Sequence, residues 1–157
     1  MRSIADCTLI ENNAQISREE QGKKICFKHN EYSVVCSVVG VDRCVFRNVH
    51  GQKSCDYLFL FDKSKQEYGF LRNRLSLAFY VELKGIELVT ACEQLLNSIE
   101  KTMQQIINFE IIALVVSSRA FVPKYDNNEF YRNVKRLIRR DIEFKLTPHT
   151  INLDALK

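Results

Sequence analysis

From residue 24 onward the apolar positions follow two rhythms. Residues 24–29 (KICFKH) alternate polar and apolar, the period of two expected of a strand. Residues 33–41 and 44–48 are rich in β-branched side chains and predict one bent strand or a hairpin, broken at Gly40-Val41-Asp42-Arg43. Residues 48–51 read as a turn. Residues 56–62 (DYLFLFD) and 75–84 (LSLAFYVELK) are almost continuously apolar, as strands covered on both faces are. Gly85 ends the second of them. The rhythm then changes. Over residues 86–107, Leu88, Cys92, Leu95, Ile99, Met103 and Ile106 recur at spacings of three and four, which predicts an amphipathic helix.

Residues 109–116 (FEIIALVV) predict another buried strand. Residues 127–140 predict a second helix, with Phe130, Val134, Leu137 and Ile138 inward, and residues 143–146 a last short strand. The first 24 residues are polar, and 14–24 predict a short helix with Ser17 as its cap. The long helix lies between two buried strands, which implies a right-handed parallel crossover. The expected architecture is an α/β sandwich: a mixed central sheet flanked by helices.

Composition narrows the class. At 157 residues the chain suits one domain, 1–157, with its core over about 14–146. Apolar residues make up 46% and charged residues 27%, which excludes a disordered tail, a collagen-like repeat and a coiled coil. The formal net charge of +4 is compatible with a polyanionic partner but does not require one. The longest purely apolar run, 111–116, is far short of the roughly 20 residues of a spanning helix. The N-terminus has no apolar signal core, so the expectation is a cytoplasmic protein without a membrane. Cys7, Cys26, Cys36, Cys44, Cys55 and Cys92 contain no C-x-x-C pair and read as buried free thiols in a reducing compartment. A zinc site from Cys36, Cys44, His50 and Cys55 has gaps that match no common structural spacing. His29, His50 and His149 are far apart, with no nucleophile in sight, and no glycine-rich phosphate loop occurs.

The informative stretch runs from residue 54 to 98. Asp56 opens one apolar strand, and Glu82 and Lys84 close the next. Residues i and i+2 of a strand share a face, so Glu82 and Lys84 project together. Burying such charges is costly unless they pair or ligate a metal. If the two strands are neighbours, Asp56 lies beside Glu82, and a hard divalent cation relieves the repulsion of the two carboxylates.

These residues resemble the PD-(D/E)XK nuclease superfamily: Cys55-Asp56, then Glu82-Leu83-Lys84 on an apolar strand, then Ala91 and Gln94 on the next helix. The resemblance covers about residues 14–116 and implies a restriction-endonuclease-like three-layer sandwich, with core order helix, three strands, helix, strand. It further implies that Asp56, Glu82 and the carbonyl of Leu83 hold Mg²⁺ (or Mn²⁺). Lys84 would be the catalytic lysine, Gln94 would support the site, and an acid from the first helix would be Glu19 or Glu20. The chain departs from the pattern in having Cys55 before the aspartate rather than proline, 26 residues between Asp56 and Glu82, and Ser98 rather than an aromatic four residues after Gln94. A second such triplet, Glu143-Phe144-Lys145, lacks an aspartate strand before it and a helix after it, and is set aside.

The implied activity is hydrolysis of DNA phosphodiester bonds, RNA being the lesser alternative, through a Mg²⁺-activated water. Arg72, Arg74, Arg132, Lys135, Arg136 and Arg139 are the candidate nucleic-acid contacts, since clustered cations give sequence-independent affinity for phosphates. Cutting both strands would call for a homodimer or a partner protein. The rival expectation keeps the fold without catalysis, as a binding or immunity subunit of a bacterial defence or toxin-type system. Phe79, Tyr80, Phe121 and Tyr125 read as core or rim rather than base-stacking platforms.

Overall fold

The computed structural model describes residues 1–67, 71, 74–83, 88–116, 132, 135, 143–147 and 150–156. Among them are nine strands: β1 (Thr8–Asn13), β2 (Gln15–Glu20), β3 (Lys23–Lys28), β4 (Val34–Gly40), β5 (Tyr57–Phe61), β6 (Ser76–Leu83), β7 (Phe109–Val116), β8 (Glu143–Thr147) and β9 (Thr150–Asn152). One long helix, α1 (Leu88–Thr102), continues into a 3-10 turn, Met103–Ile106. A mixed six-stranded sheet has the order β1-β4-β5-β6-β7-β8, and a three-stranded sheet the order β2-β3-β9. Strands β1, β4, β5 and β6 are antiparallel to their neighbours, whereas β6, β7 and β8 are parallel. Helix α1 is the crossover that the parallel β6–β7 pair needs.

Every residue of β5 is buried, as is all of β6 after Ser76. Side chains alternate across a strand. Leu58, Tyr80, Ala113 and Val115 therefore meet Ala91, Leu95 and Ile99 of α1 on one face. Phe59, Phe79, Val81 and Leu114 meet Ile16, Ile25 and Phe27 of the small sheet on the other. The layers are helix, large sheet and small sheet. The expected helical flanking holds on one face, and among the described residues β-structure covers the second. Of the predicted helix 127–140 only Arg132 and Lys135 are described, both helical and exposed.

Two expectations are corrected and one strand is added. Residues 14–24 form no helix: β2 and β3 make a hairpin through Gln21 and Gly22, whose φ values of 48° and 76° are the two positive angles a type I′ turn uses. Glu20 faces Lys23 and Glu19 faces Lys24 across it, so opposite charges support the pairing. Ser17 is a strand residue opposite Cys26, and Glu19 and Glu20 stand on a strand. Residues 44–48 form no strand either. Val41–Val45 is a π-helical turn that buries Val41 and Val45, four residues apart. Strand β1 is an addition. It is polar, runs at the sheet edge against β4 and exposes Leu9 and Ile10.

The cysteines divide. Cys26, Cys36, Cys55 and Cys92 are free and buried as expected. Cys7 and Cys44 instead form a disulfide, tying the 3-10 turn Ala5–Cys7 to the π-helical turn. Such a bond persists under oxidising conditions, so the expectation of a thiol in a reducing compartment fails for this pair. It also removes Cys44 from the zinc alternative. Cys36 and Cys55 lie in the two opposite core layers, and no group of three or more His, Cys, Asp or Glu that could hold a metal occurs among the described residues. Among the same residues, no helix is long and apolar enough to cross a membrane.

Phe27 fixes the small sheet to the large one. Its ring centroid lies 4.7 Å from Phe59, 4.8 Å from Phe79 and 5.3 Å from Phe61. Truncation leaves a cavity between two stiff sheets that cannot close over it. Phe27→Ala is expected to cost about 3–5 kcal/mol, read as a lowered urea midpoint. A loss below about 1 kcal/mol would mean that the layers repack freely.

Candidate active site

Asp56 immediately precedes β5, and Glu82 is the penultimate residue of β6. The two strands pair directly, with Tyr57 opposite Val81, so the connection between them does not separate the acids. Continuing that register sets Asp56 beside Glu82. Two hydrogen bonds fix the arrangement: the Asp56 amide donates to the Val81 carbonyl at 3.1 Å, and the Leu83 amide donates to Asp56 Oδ2 at 2.7 Å. Alternation places both carboxylates on the α1 face, in line with Leu58 and Tyr80. Asp56 is half-buried, whereas Glu82 is 1% exposed.

The backbone entering Asp56 is held from two sides. On one side the Val41 amide donates to the Asp56 carbonyl at 3.0 Å, and Ser54 Oγ donates to Asp42 Oδ1 at 3.3 Å. On the other, Gln94 Nε2 donates to the Ser54 carbonyl at 2.9 Å, and the Cys55 amide donates to Ser98 Oγ at 2.8 Å. Ser98 Oγ in turn donates to the Gln94 carbonyl at 2.8 Å. Thr102 Oγ1 continues the line with a bond to the Ser98 carbonyl at 2.6 Å, and Tyr80 Oη lies 2.6 Å from that hydroxyl. The Thr102 proton is already used, so Tyr80 is the donor there. Burial pushes the Tyr80 phenol well above its ordinary range.

Gln94 stands on α1 with one end gripping the chain before Asp56. Its Oε1 is buried with no hydrogen-bond partner among the described residues. Ser98, Ser54, Asp42 and Val41 were not legible as site residues. The one available signal was Ser98, a hydroxyl at a buried position of an apolar helix face. Lys84, Arg72, Arg136 and Arg139 lie outside the described residues. Arg74 is no part of the site: it pairs with Glu110 at 3.0 Å, at the start of β6. The rise of a strand puts that about 20 Å from Glu82. Glu19 and Glu20 stand on β2, and Glu20 is bound to Arg43. Phe79 and Tyr80 are fully buried core, as expected; Phe121 and Tyr125 lie outside the described residues.

The two carboxylates and the Leu83 carbonyl are the oxygens that could hold a hard cation here, with water or a substrate oxygen completing an octahedron, as Mg²⁺ is usually held. Cys55, beside both acids, supplies no nucleophile. Burial raises its thiol pKa, and the charges of Glu82 and Asp56 add to the rise. His29 is no general base, since its Nδ1 accepts from the Glu31 and Tyr32 amides and its Nε2 faces Asp154 at 2.9 Å.

The chain matches no protein-family model, no curated protein and no solved structure.

The buried thiols give the site and its surroundings a pH signature. Burial raises the pKa of Cys36 and Cys55 and pushes Cys92 up to about 12, against an ordinary value of 9.0. The unfolded chain releases these protons first, so it binds fewer protons than the folded one above pH 9. Stability is then full below pH 9 and falls as pH rises toward the folded values. Each thiol contributes a slope of about 1.4 kcal/mol per pH unit. The urea midpoint should drop between pH 8 and pH 10, and drop less in Cys36→Ala; equal midpoints would show that the thiols ionise in place.

Proposed function

We propose that the chain is a metal-dependent phosphodiesterase of the PD-(D/E)XK kind, cutting DNA in preference to RNA. The observation that supports this most is the pairing of Asp56 and Glu82: two acids from adjacent strands, opposite in register, on one face, with the Leu83 amide fixing the first of them. The element order gives further support. Strands β4, β5 and β6, followed by α1 and β7, have the same order as the three strands, helix and strand expected of that superfamily's core. Its first helix has no counterpart among the described residues, where the β2–β3 hairpin stands instead.

In this reading Asp56, Glu82 and the Leu83 carbonyl hold Mg²⁺ or Mn²⁺. Such an ion supplies charge neutralisation at a scissile phosphate and makes water a stronger nucleophile at neutral pH. Gln94 and the segment before Asp56 keep the first acid in place. Lys84, assigned on sequence grounds alone, would offset negative charge on the phosphate as it grows. Arg132 and Lys135, three apart on one helical face and exposed, are proposed to contact the nucleic-acid backbone, with Arg72, Arg136 and Arg139 joining them on sequence grounds. Residence in the cytoplasm follows from access to DNA, and the Cys7–Cys44 disulfide is the observation against it.

One feature favours the second reading, a nuclease fold kept for binding or immunity: Glu82 is 1% exposed, which closes one acid to solvent. The two readings part on activity. Purified protein with Mg²⁺ or Mn²⁺ should nick plasmid or cut single-stranded DNA. Asp56→Asn and Lys84→Ala should each lower the rate by at least about 100-fold with the fold intact. Glu82→Gln should weaken Mn²⁺ binding in calorimetric titration while costing little stability. A folded wild type that is inert with both metals and both substrates decides for the binding module.

A further inference from the structure

Helix α1 does more than cover the sheet. The peptide group joining Ser54 to Cys55 is gripped at both ends by side chains one helical turn apart. Gln94 Nε2 donates to its carbonyl at 2.9 Å, and Ser98 Oγ accepts from its N–H at 2.8 Å. Ser98 is 0% exposed, and its hydroxyl proton is committed to the Gln94 carbonyl at 2.8 Å. The acceptor lone pair is thereby aimed away from the helix, at Cys55. The gripped peptide is the last one before Cys55 hands the chain to Asp56. Residue 56 stands just outside β5, where strand ends fray unless something outside the ladder holds them.

We infer that Ser98 is a positioning residue for Asp56: through the Cys55 amide its hydroxyl sets the Asp56 carboxylate against the Leu83 N–H, and so its distance from Glu82. The inference rests on the nuclease reading for its functional meaning, but not for its geometry. Removing the hydroxyl leaves a buried N–H without an acceptor and frees the torsions on either side of Cys55. Asp56 then loses the Leu83 bond for part of the time. Thr102 provides the contrast. It is equally buried on the same helix face, but its hydrogen bonds go to Tyr80 and the Ser98 carbonyl rather than to the 54–56 segment.

The test is native-state amide exchange on the full chain without metal, comparing Leu83 with Phe79 at the centre of β6. In Ser98→Ala, Leu83 should exchange at least tenfold faster than the change at Phe79 accounts for. In Thr102→Val the two should accelerate together. Ser98→Cys, nearly isosteric and a weak acceptor, gives the same comparison should Ser98→Ala not fold. Equal acceleration of Leu83 and Phe79 in the Ser98 variant would overturn the inference, because the hydroxyl would then be holding only the fold. Titration with Mn²⁺ forms the second arm, where Ser98→Ala should bind about tenfold more weakly and Thr102→Val within twofold of wild type. Wild type that binds no Mn²⁺ sinks the metal reading, and the exchange comparison still decides the role of Ser98.

Discussion

Burial of β5, β6 and β7 on both faces is the constraint from which the rest of the molecule follows. A strand such as YLFLF has no side to offer to water. Two covers are therefore required, one to each face, and each must be stiff enough to keep the apolar interior closed. Helix α1 supplies the first, through a stripe that includes Ala91, Leu95 and Ile99. The β2–β3 hairpin supplies the second, with Phe27 set among Phe59, Phe61 and Phe79.

The same constraint creates the site. Where β6 runs out under the start of α1, alternation puts Glu82 on the helix face, in the row of Ala78 and Tyr80. A carboxylate there is taken out of water by a wall built for apolar side chains, and such a group is tolerated only with compensation. The neighbouring strand brings a second acid to its side, and that juxtaposition carries the functional proposal. Around it the polar groups form an ordered line, from Tyr80 through Thr102 and Ser98 to the Cys55 amide. Thr102 and Ser98 each pass their proton to a carbonyl and keep a lone pair for the next donor, Tyr80 and the Cys55 amide respectively. The helix thus exerts directional control on the end of β5 as well as hydrophobic cover.

The N-terminal region shows how partner context overrides local pattern. Residues 8–20 are polar, with isolated apolar positions and no clear period. On their own they carry no preference strong enough to identify as a strand. They become two strands because β4 and β3 present open ladders and because Gln21 and Gly22 accept positive φ. Similarly, the valine-rich stretch after Gly40 has strand composition but winds into a π-helical turn. Its neighbours decide this: the Asp56 carbonyl takes the Val41 amide, and Cys7 takes Cys44.

What the residues determined by themselves was the set of buried strands, the long helix, and the candidacy of Asp56, Glu82 and Gln94. Each of these signals is local, since continuous apolar runs, a three-and-four spacing and charged residues at apolar strand ends survive without knowledge of partners. Tertiary structure alone decided which layer covers the second face, that Cys7 and Cys44 join across 37 residues, that Arg74 belongs to Glu110, and that Ser98 reaches Cys55. These are pairings between groups distant in sequence. Their energy comes from closing a particular gap in the packed chain, and no window of neighbouring residues contains that gap.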